Sequence, residues 1–141
     1  MKLYFAYGAN LNLEGMRFRC PSAHPVSAFS LQDYQLAFSG VATIHPKPGA
    51  TVPGASVPGA LWEITPECED NLDVFEGFPF LYSKVYLAQS NMEFMAYVMN
   101  DDPPAAPNRS YFNTILEGYR DWDLPVSELH RARESTRLEC N

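Results

Sequence analysis

The sequence predicts an α+β fold: one small domain built on a curled, mixed sheet with helices packed against it. Three observations carry this. Strand-like alternation recurs from the amino terminus to about residue 99. One helix with complete start and stop signals interrupts it, and further helical periodicity gathers near the carboxyl end. No composition shift or linker divides the chain, so strands and helices must share a core. At 141 residues the chain suits one domain that buries most of the surface its unfolded form exposes.

In order, Leu3, Phe5 and Tyr7 alternate with Tyr4 and Ala6, the period of a strand whose two faces differ, and the run breaks at Gly8. Asn12 can cap a short helix with Glu14 in its first turn and an apolar edge at Leu13 and Met16, ending before Pro21. Residues 26–29, 34–38 and 41–44 read as strands, with a turn near Gln32 and Asp33. The stretch HPKPGATVPGASVPG, residues 45–59, reads as a loop or irregular hairpin, and its two Val-Pro-Gly-Ala copies are too few for a solenoid. Strand character resumes at GALWEI.

The clearest helix is TPECEDNLDVFEG: Thr65 as N-cap, Pro66 in the first position, acids in the first turn and Gly77 just past the end. Residues 81–88 and 92–99 read as strands paired around Ser90 and Asn91, followed by the loop NDDPPAAPN. From Arg109 to Trp122, Tyr111, Ile115, Tyr119 and Trp122 share one helical side, with Asn108 or Ser110 available as cap. Pro125 separates a final helical segment, and residues 123–141 form the least distinctive part of the single domain 1–141.

A net charge of −7 disfavours nucleic acid, whose phosphates call for clustered cations. Only HRARESTR gathers several basic residues, in a pattern suited to a solvated helix face. Cys20, Cys68 and Cys140 are odd in number and widely spaced, which makes reduced thiols and a cytoplasmic setting the expectation. No long apolar run precedes Asn10, so neither a secretory signal nor a membrane partner is expected.

Two places can carry chemistry. Glu76 stands at the edge of an inward helical stripe defined by Cys68, Leu72 and Phe75, in the last turn, three residues after Asp73. Partial burial, the helix terminus and a like charge each disfavour ionisation, and a carboxyl raised toward neutrality suits a proton shuttle. An edge glutamate that merely reaches water or an arginine has the same spacing. The second place is the turn after the first strand, where Gly8 and Asn10 tolerate unusual backbone angles and consecutive N–H groups can form an anion-binding nest. Any strand-to-helix connection can also use such residues. His24, His45 and His130 lack metal-site spacing, and His24-Pro25 and His45-Pro46 read as loop positions, so no metal is expected; a chain of this size also needs no cofactor to hold it together. No nucleophile elbow or local cysteine signature supports covalent catalysis. Tyr82 and Tyr111 can offer hydroxyls to a pocket or simply pack.

YFAYGANL, VPGALWEI, LDVFEGFPFLY and SYFNTILEGY occur in an order that resembles the gamma-glutamylcyclotransferase-like family over roughly residues 3–122. LDVFEG with the following Leu-Tyr is most similar to the branch that includes gamma-glutamylamine cyclotransferase. The resemblance implies a small fold on a β-barrel-like sheet with flanking helices, and release of 5-oxoproline from small gamma-glutamyl substrates. It implies that Tyr7, Gly8, Ala9, Asn10 and Leu11 bind the glutamyl moiety and that Glu76 is the acid/base. Ala9 stands where serine is common in the family, and Pro107-Asn108 where Pro-Ser is frequent. Phe78, Phe80 and HPKPG are candidates to shape the leaving-group side. Three competing readings keep the fold: a cyclotransferase that trims an unusual amine, a biosynthetic intermediate or a modified peptide, a non-catalytic module that binds a small carboxylate or a partner, and a purely structural interaction domain whose cavity is filled. The oligomeric state is left open.

Overall fold

The computed structural model describes residues 1–47 and 56–139. Strands β1 (Lys2–Ala6), β2 (His24–Gln32), β5 (Ser56–Ile64), β6 (Tyr82–Gln89) and β7 (Met92–Met99) form a five-stranded sheet in the order β2-β5-β1-β7-β6. β1 runs antiparallel to β5 and parallel to β7, so the sheet is mixed. Strands β3 (Tyr34–Ser39) and β4 (Val41–Pro46) form a separate antiparallel ribbon. Helices α1 (Leu13–Arg19), α2 (Pro66–Glu76), α3 (Arg109–Asp121) and α4 (Ser127–Glu139) flank these strands. The result is an α+β domain. None of its helices, among the described residues, is long and apolar enough to cross a membrane.

β1 occupies the middle of the sheet, and this corrects the expectation that its two faces differ. Tyr4, Phe5 and Ala6, and Tyr7 just beyond, are all buried. A central strand covered on both sides needs apolar residues on both. Other boundaries also move. β2 extends to His24 through an irregularity between Pro25 and Ser27, and β4 runs to Pro46, so His24-Pro25 and His45-Pro46 lie in strands and not in loops. A sheet edge tolerates proline because the missing N–H need not serve a neighbour. β5 starts at Ser56 and takes Val57, Pro58 and Gly59 from the expected loop. Residues 48–55, the rest of that stretch, lie outside the described residues.

Helix ends follow their signals. The Thr65 hydroxyl accepts from Cys68 N at 3.1 Å, Pro66 opens α2, and Gly77 closes it in the left-handed region at φ 71°. The Asn12 side chain accepts from Gly15 N at 3.0 Å to start α1, and Asn108, rather than Ser110, accepts from Tyr111 N at 2.8 Å to start α3. α4 is not the solvated helix that its charges imply. Leu129, Ala132 and Thr136 are buried, and Arg131 Nη2 donates to the Leu36 carbonyl in β3 at 2.7 Å. Of its other basic residues, Arg133 stacks its guanidinium 4.1 Å from the centroid of the Phe112 ring.

Candidate active site

Past Ala6 the chain leaves the sheet and winds a single 3₁₀ turn, Ala9–Leu11, before α1. Leu11 N donates to Gly8 O at 3.0 Å and Asn12 N to Ala9 O at 3.1 Å. A turn closed this way leaves its first donors over. Among the described residues, the N–H groups of Gly8, Ala9 and Asn10 have no protein acceptor. Left-handed backbone, expected at Gly8 and Asn10, is absent there: Gly8 has φ −122°. The spare donors therefore come from the opening of a 3₁₀ turn and not from a nest. Glycine at position 8 serves space, because a Cβ there would lie 3.3 Å from the Ala42 Cβ and 3.5 Å from the Tyr111 hydroxyl.

These residues face a hollow of about 240 Å³. Its floor and one wall come from β1 and the turn (Tyr4, Tyr7, Gly8, Ala9, Asn10), another wall from Val41 and Ala42 of β4, and a third from the end of α2 with Phe75 and Glu76. Leu81, Tyr82 of β6, Tyr97 of β7 and Tyr111 of α3 complete it. Asn10 joins the two ends. Its Nδ2 donates to the Tyr4 hydroxyl at 2.9 Å and to Glu76 Oε1 at 3.1 Å.

Glu76 is half-buried and carries the sole carboxylate lining the hollow among the described residues. Burial pushes its carboxyl up to about 7, against the opposing pull of the Arg19 guanidinium and the Asn10 amide. Of the three causes read from sequence, burial is the one that dominates. Asp73 turns elsewhere: it accepts from Lys84 Nζ at 3.0 Å and from the Tyr97 hydroxyl at 2.6 Å. Phe75 is also not part of an inward stripe. It is 47% exposed, lies under the Arg19 guanidinium at 3.9 Å from its ring centroid, and contributes to the pocket rim.

The tyrosines around the carboxyl stay neutral. Burial holds Tyr4, Tyr7, Tyr82 and Tyr97 well above the usual tyrosine range and pushes Tyr111 up to about 12. Two of them clamp β4 through one residue: the Tyr82 hydroxyl donates to Ala42 O at 2.6 Å, while the Tyr111 hydroxyl accepts from Ala42 N at 2.9 Å. Tyr111 therefore keeps its proton to offer, whereas Tyr82 has spent its own.

Of the residues singled out in the sequence, Tyr7, Gly8, Ala9, Asn10, Glu76, Tyr82 and Tyr111 meet at this hollow. Leu11 does not line it. Its side chain is fully buried and its carbonyl accepts from Trp122 Nε1 at 2.8 Å, which anchors the turn to the end of α3. Phe80 is 92% exposed, and Phe78 stacks beneath Lys84 Nζ at 4.3 Å; neither lines the pocket. His45 pairs with Asp102 at 2.8 Å in a different part of the surface. Among the described residues, no three His, Cys, Asp or Glu side chains converge as a metal site would require.

The family model described as gamma-glutamyl cyclotransferase, AIG2-like, matches residues 4–124, which hold every residue of the hollow. The chain belongs to that family. Bovine and human gamma-glutamylcyclotransferases are 30% and 31% identical to it over 142 residues, 88% of this chain and 73% of each relative. A solved gamma-glutamyl cyclotransferase superposes with a TM-score of 0.76 at 27% identity, covering 96% of this chain and 86% of that one. A mouse AIG2-like protein shares the fold at a TM-score of 0.59 and 18% identity, over 74% of this chain and 80% of that one.

Sequence reasoning missed Tyr4, Leu81, Tyr97 and the Val41–Ala42 edge as lining of this hollow, and Arg19 as a partner of Asn10 beside it. Tyr4 was legible as a strand residue, but nothing local marks which face of a doubly covered strand meets a cavity. Arg19 had one signal, a glycine four residues before it on the same face of α1.

Proposed function

We propose that the hollow holds the γ-glutamyl part of a small amine, amino acid or peptide and releases it as 5-oxoproline. The observation that carries this reading is the pairing, in one pocket, of a carboxyl pushed up to about 7 by burial with three residues whose peptide N–H groups have no protein acceptor among the described residues. Family membership supports it.

The substrate contains its own nucleophile. Its α-nitrogen attacks the γ-carbonyl carbon, a five-membered lactam forms, and the bond from that carbon to the leaving nitrogen breaks. Holding the chain curled for this attack can supply an effective molarity on the order of 10⁵ M or more. Glu76 takes a proton from the attacking nitrogen and returns one to the leaving nitrogen, so no net proton is consumed. A carboxyl near 7 is matched to both directions of transfer. No lysine or arginine lines the hollow among the described residues, so the α-carboxylate falls to the N–H groups of Gly8, Ala9 and Asn10. Ala9 adds no hydroxyl, which leaves this task to the backbone. Tyr111 donates its free proton toward the bound glutamyl group, and Tyr7 and Tyr82 shape the wall. The chemistry calls for no metal or cofactor, since the attacking atom comes with the substrate.

The test is 5-oxoproline release from a panel of γ-glutamyl amines, amino acids and dipeptides, with Glu76→Gln alongside. The expected loss in kcat for the variant is about 10²–10⁴-fold, the range for a removed acid/base. A protein that is thermally stabilised by these compounds yet releases no 5-oxoproline would instead be a binding module.

A further inference from the structure

We propose that Arg19 is a positioning residue for Glu76, fixing the Asn10 side-chain amide in the one orientation that presents its NH₂ to the carboxylate. This rests on the function proposed above for Glu76, but Arg19 itself lies outside the pocket lining. Arg19 Nε donates to Asn10 Oδ1 at 2.9 Å. A guanidinium only donates, so the atom opposite it must be the amide oxygen. The NH₂ is then forced to the other side, where it meets Tyr4 at 2.9 Å and Glu76 at 3.1 Å. Were the amide reversed, two donors would face each other at Arg19 and two oxygens at Glu76. Without Arg19 the reversed amide is tolerated whenever Glu76 is protonated, because the carboxyl can then donate to Oδ1. Arg19 removes that alternative and so favours the carboxylate form.

Arg19 is itself seated with care. Its guanidinium lies over the Phe75 ring at 3.9 Å, and Asn71 Nδ2 donates to its carbonyl at 3.0 Å, which ties the end of α1 to α2. Among the described residues its Nη2 is buried without a hydrogen-bond partner, above Gly15, where a Cβ would approach to 2.9 Å. A glycine inside a seven-residue helix weakens that helix, and here it clears the space the guanidinium occupies. The ionisable groups facing Glu76 are Arg19 from α1, Tyr4 and Tyr7 from β1 and its extension, Tyr82 from β6 and Tyr111 from α3. Arg19 supplies the one cation among them.

The experiment follows the Glu76 carboxyl by ¹³C NMR titration in the substrate-free protein, using Glu76→Gln to assign it, in the wild type and in Arg19→Met, Arg19→Lys and Gly15→Ala. Arg19→Met is expected to raise the Glu76 titration by about one pH unit and to move the acidic limb of kcat/KM upward with it. Arg19→Lys restores charge without the planar fork and falls between the two. Gly15→Ala keeps the charge and favours the helix, so its melting temperature is unchanged or higher, while kcat drops and KM changes less. A purely structural Arg19 would instead make activity track stability. Folded Arg19→Met, or folded Gly15→Ala should the first not fold, with Glu76 titrating as in the wild type overturns the proposal. If the titration moves but the wild type releases no 5-oxoproline, the positioning role stands and the proposed function fails. Release of 5-oxoproline with an unmoved titration does the opposite: the proposed function stands and the positioning role fails.

Discussion

Burying an acid sets function against stability, and the sign can be worked out for Glu76. Its folded-state value near 7 exceeds the ordinary value of 4.5, so between those limits the folded protein binds the extra proton. Stability is therefore undiminished below about pH 4.5 and falls as pH rises through 7. The full penalty is on the order of 3 kcal/mol from the size of that shift. Glu76→Gln removes it while keeping an oxygen for the Asn10 NH₂. Chemical denaturation should find the variant more stable than the wild type by about 2–3 kcal/mol at pH 8, with the gap closing below pH 5; equal stability at both pH values would show that the carboxyl is not desolvated. The same residue shows what is legible locally. Helical spacing marks Glu76 as an edge position, and its burial follows. Arg19 and Tyr4 bond to nearby Asn10, but Asn10 and Glu76 are 66 positions apart, and no periodicity encodes that meeting.

The 3₁₀ turn is too short to hold its own shape, so a neighbouring element must impose it. α3 does so. A Cβ on Gly118 would come within 2.6 Å of the Leu11 Cβ and 2.9 Å of Asn12 N, which means that helix and turn touch backbone to backbone. Asn12 Nδ2 donates to Thr114 O at 3.1 Å, and the Trp122 indole bonds the Leu11 carbonyl at 2.8 Å. Gly118→Ala should cost about 1–3 kcal/mol through overpacking. It should also lower kcat/KM, because pushing Leu11 outward drags Asn10 and the spare N–H groups with it. Urea unfolding and 5-oxoproline assays on one preparation check both effects; a loss of stability with kcat/KM intact would mean that the turn keeps its form without α3. At this scale the sequence is informative wherever a side chain caps a helix, as Thr65, Asn12 and Asn108 do. It is less so for strand ends, since proline usually marks a break, yet an edge position or a bulge admits it, as at Pro25 and Pro46.

Across the whole molecule, the wall that Val41 and Ala42 contribute belongs to a two-stranded ribbon outside the hydrogen-bonded main sheet. A lone hairpin is marginal in water. Its inner side is held by the Tyr82 and Tyr111 bonds to Ala42 and by Met99 N donating to the Thr43 hydroxyl at 3.1 Å. Its outer strand, β3, is held by α4 through fully buried Leu129 and Ala132 and the Arg131 bond to Leu36. That arrangement explains why a helix whose sequence looks solvated buries one face. Charge counting saw its basic residues, but a partner strand roughly a hundred positions earlier decides which side turns inward. It also couples a distant helix to the pocket. Leu129→Ala should lower unfolding free energy by about 2–4 kcal/mol, as buried leucine truncations do. Because the ribbon carries one pocket wall while Glu76 sits on α2, KM should rise with kcat and the Glu76 titration little changed at temperatures well below unfolding. Michaelis parameters and thermal midpoints measured together decide the matter: a lower midpoint with an unaltered KM would make α4 a support for the core alone, with no reach into the substrate wall.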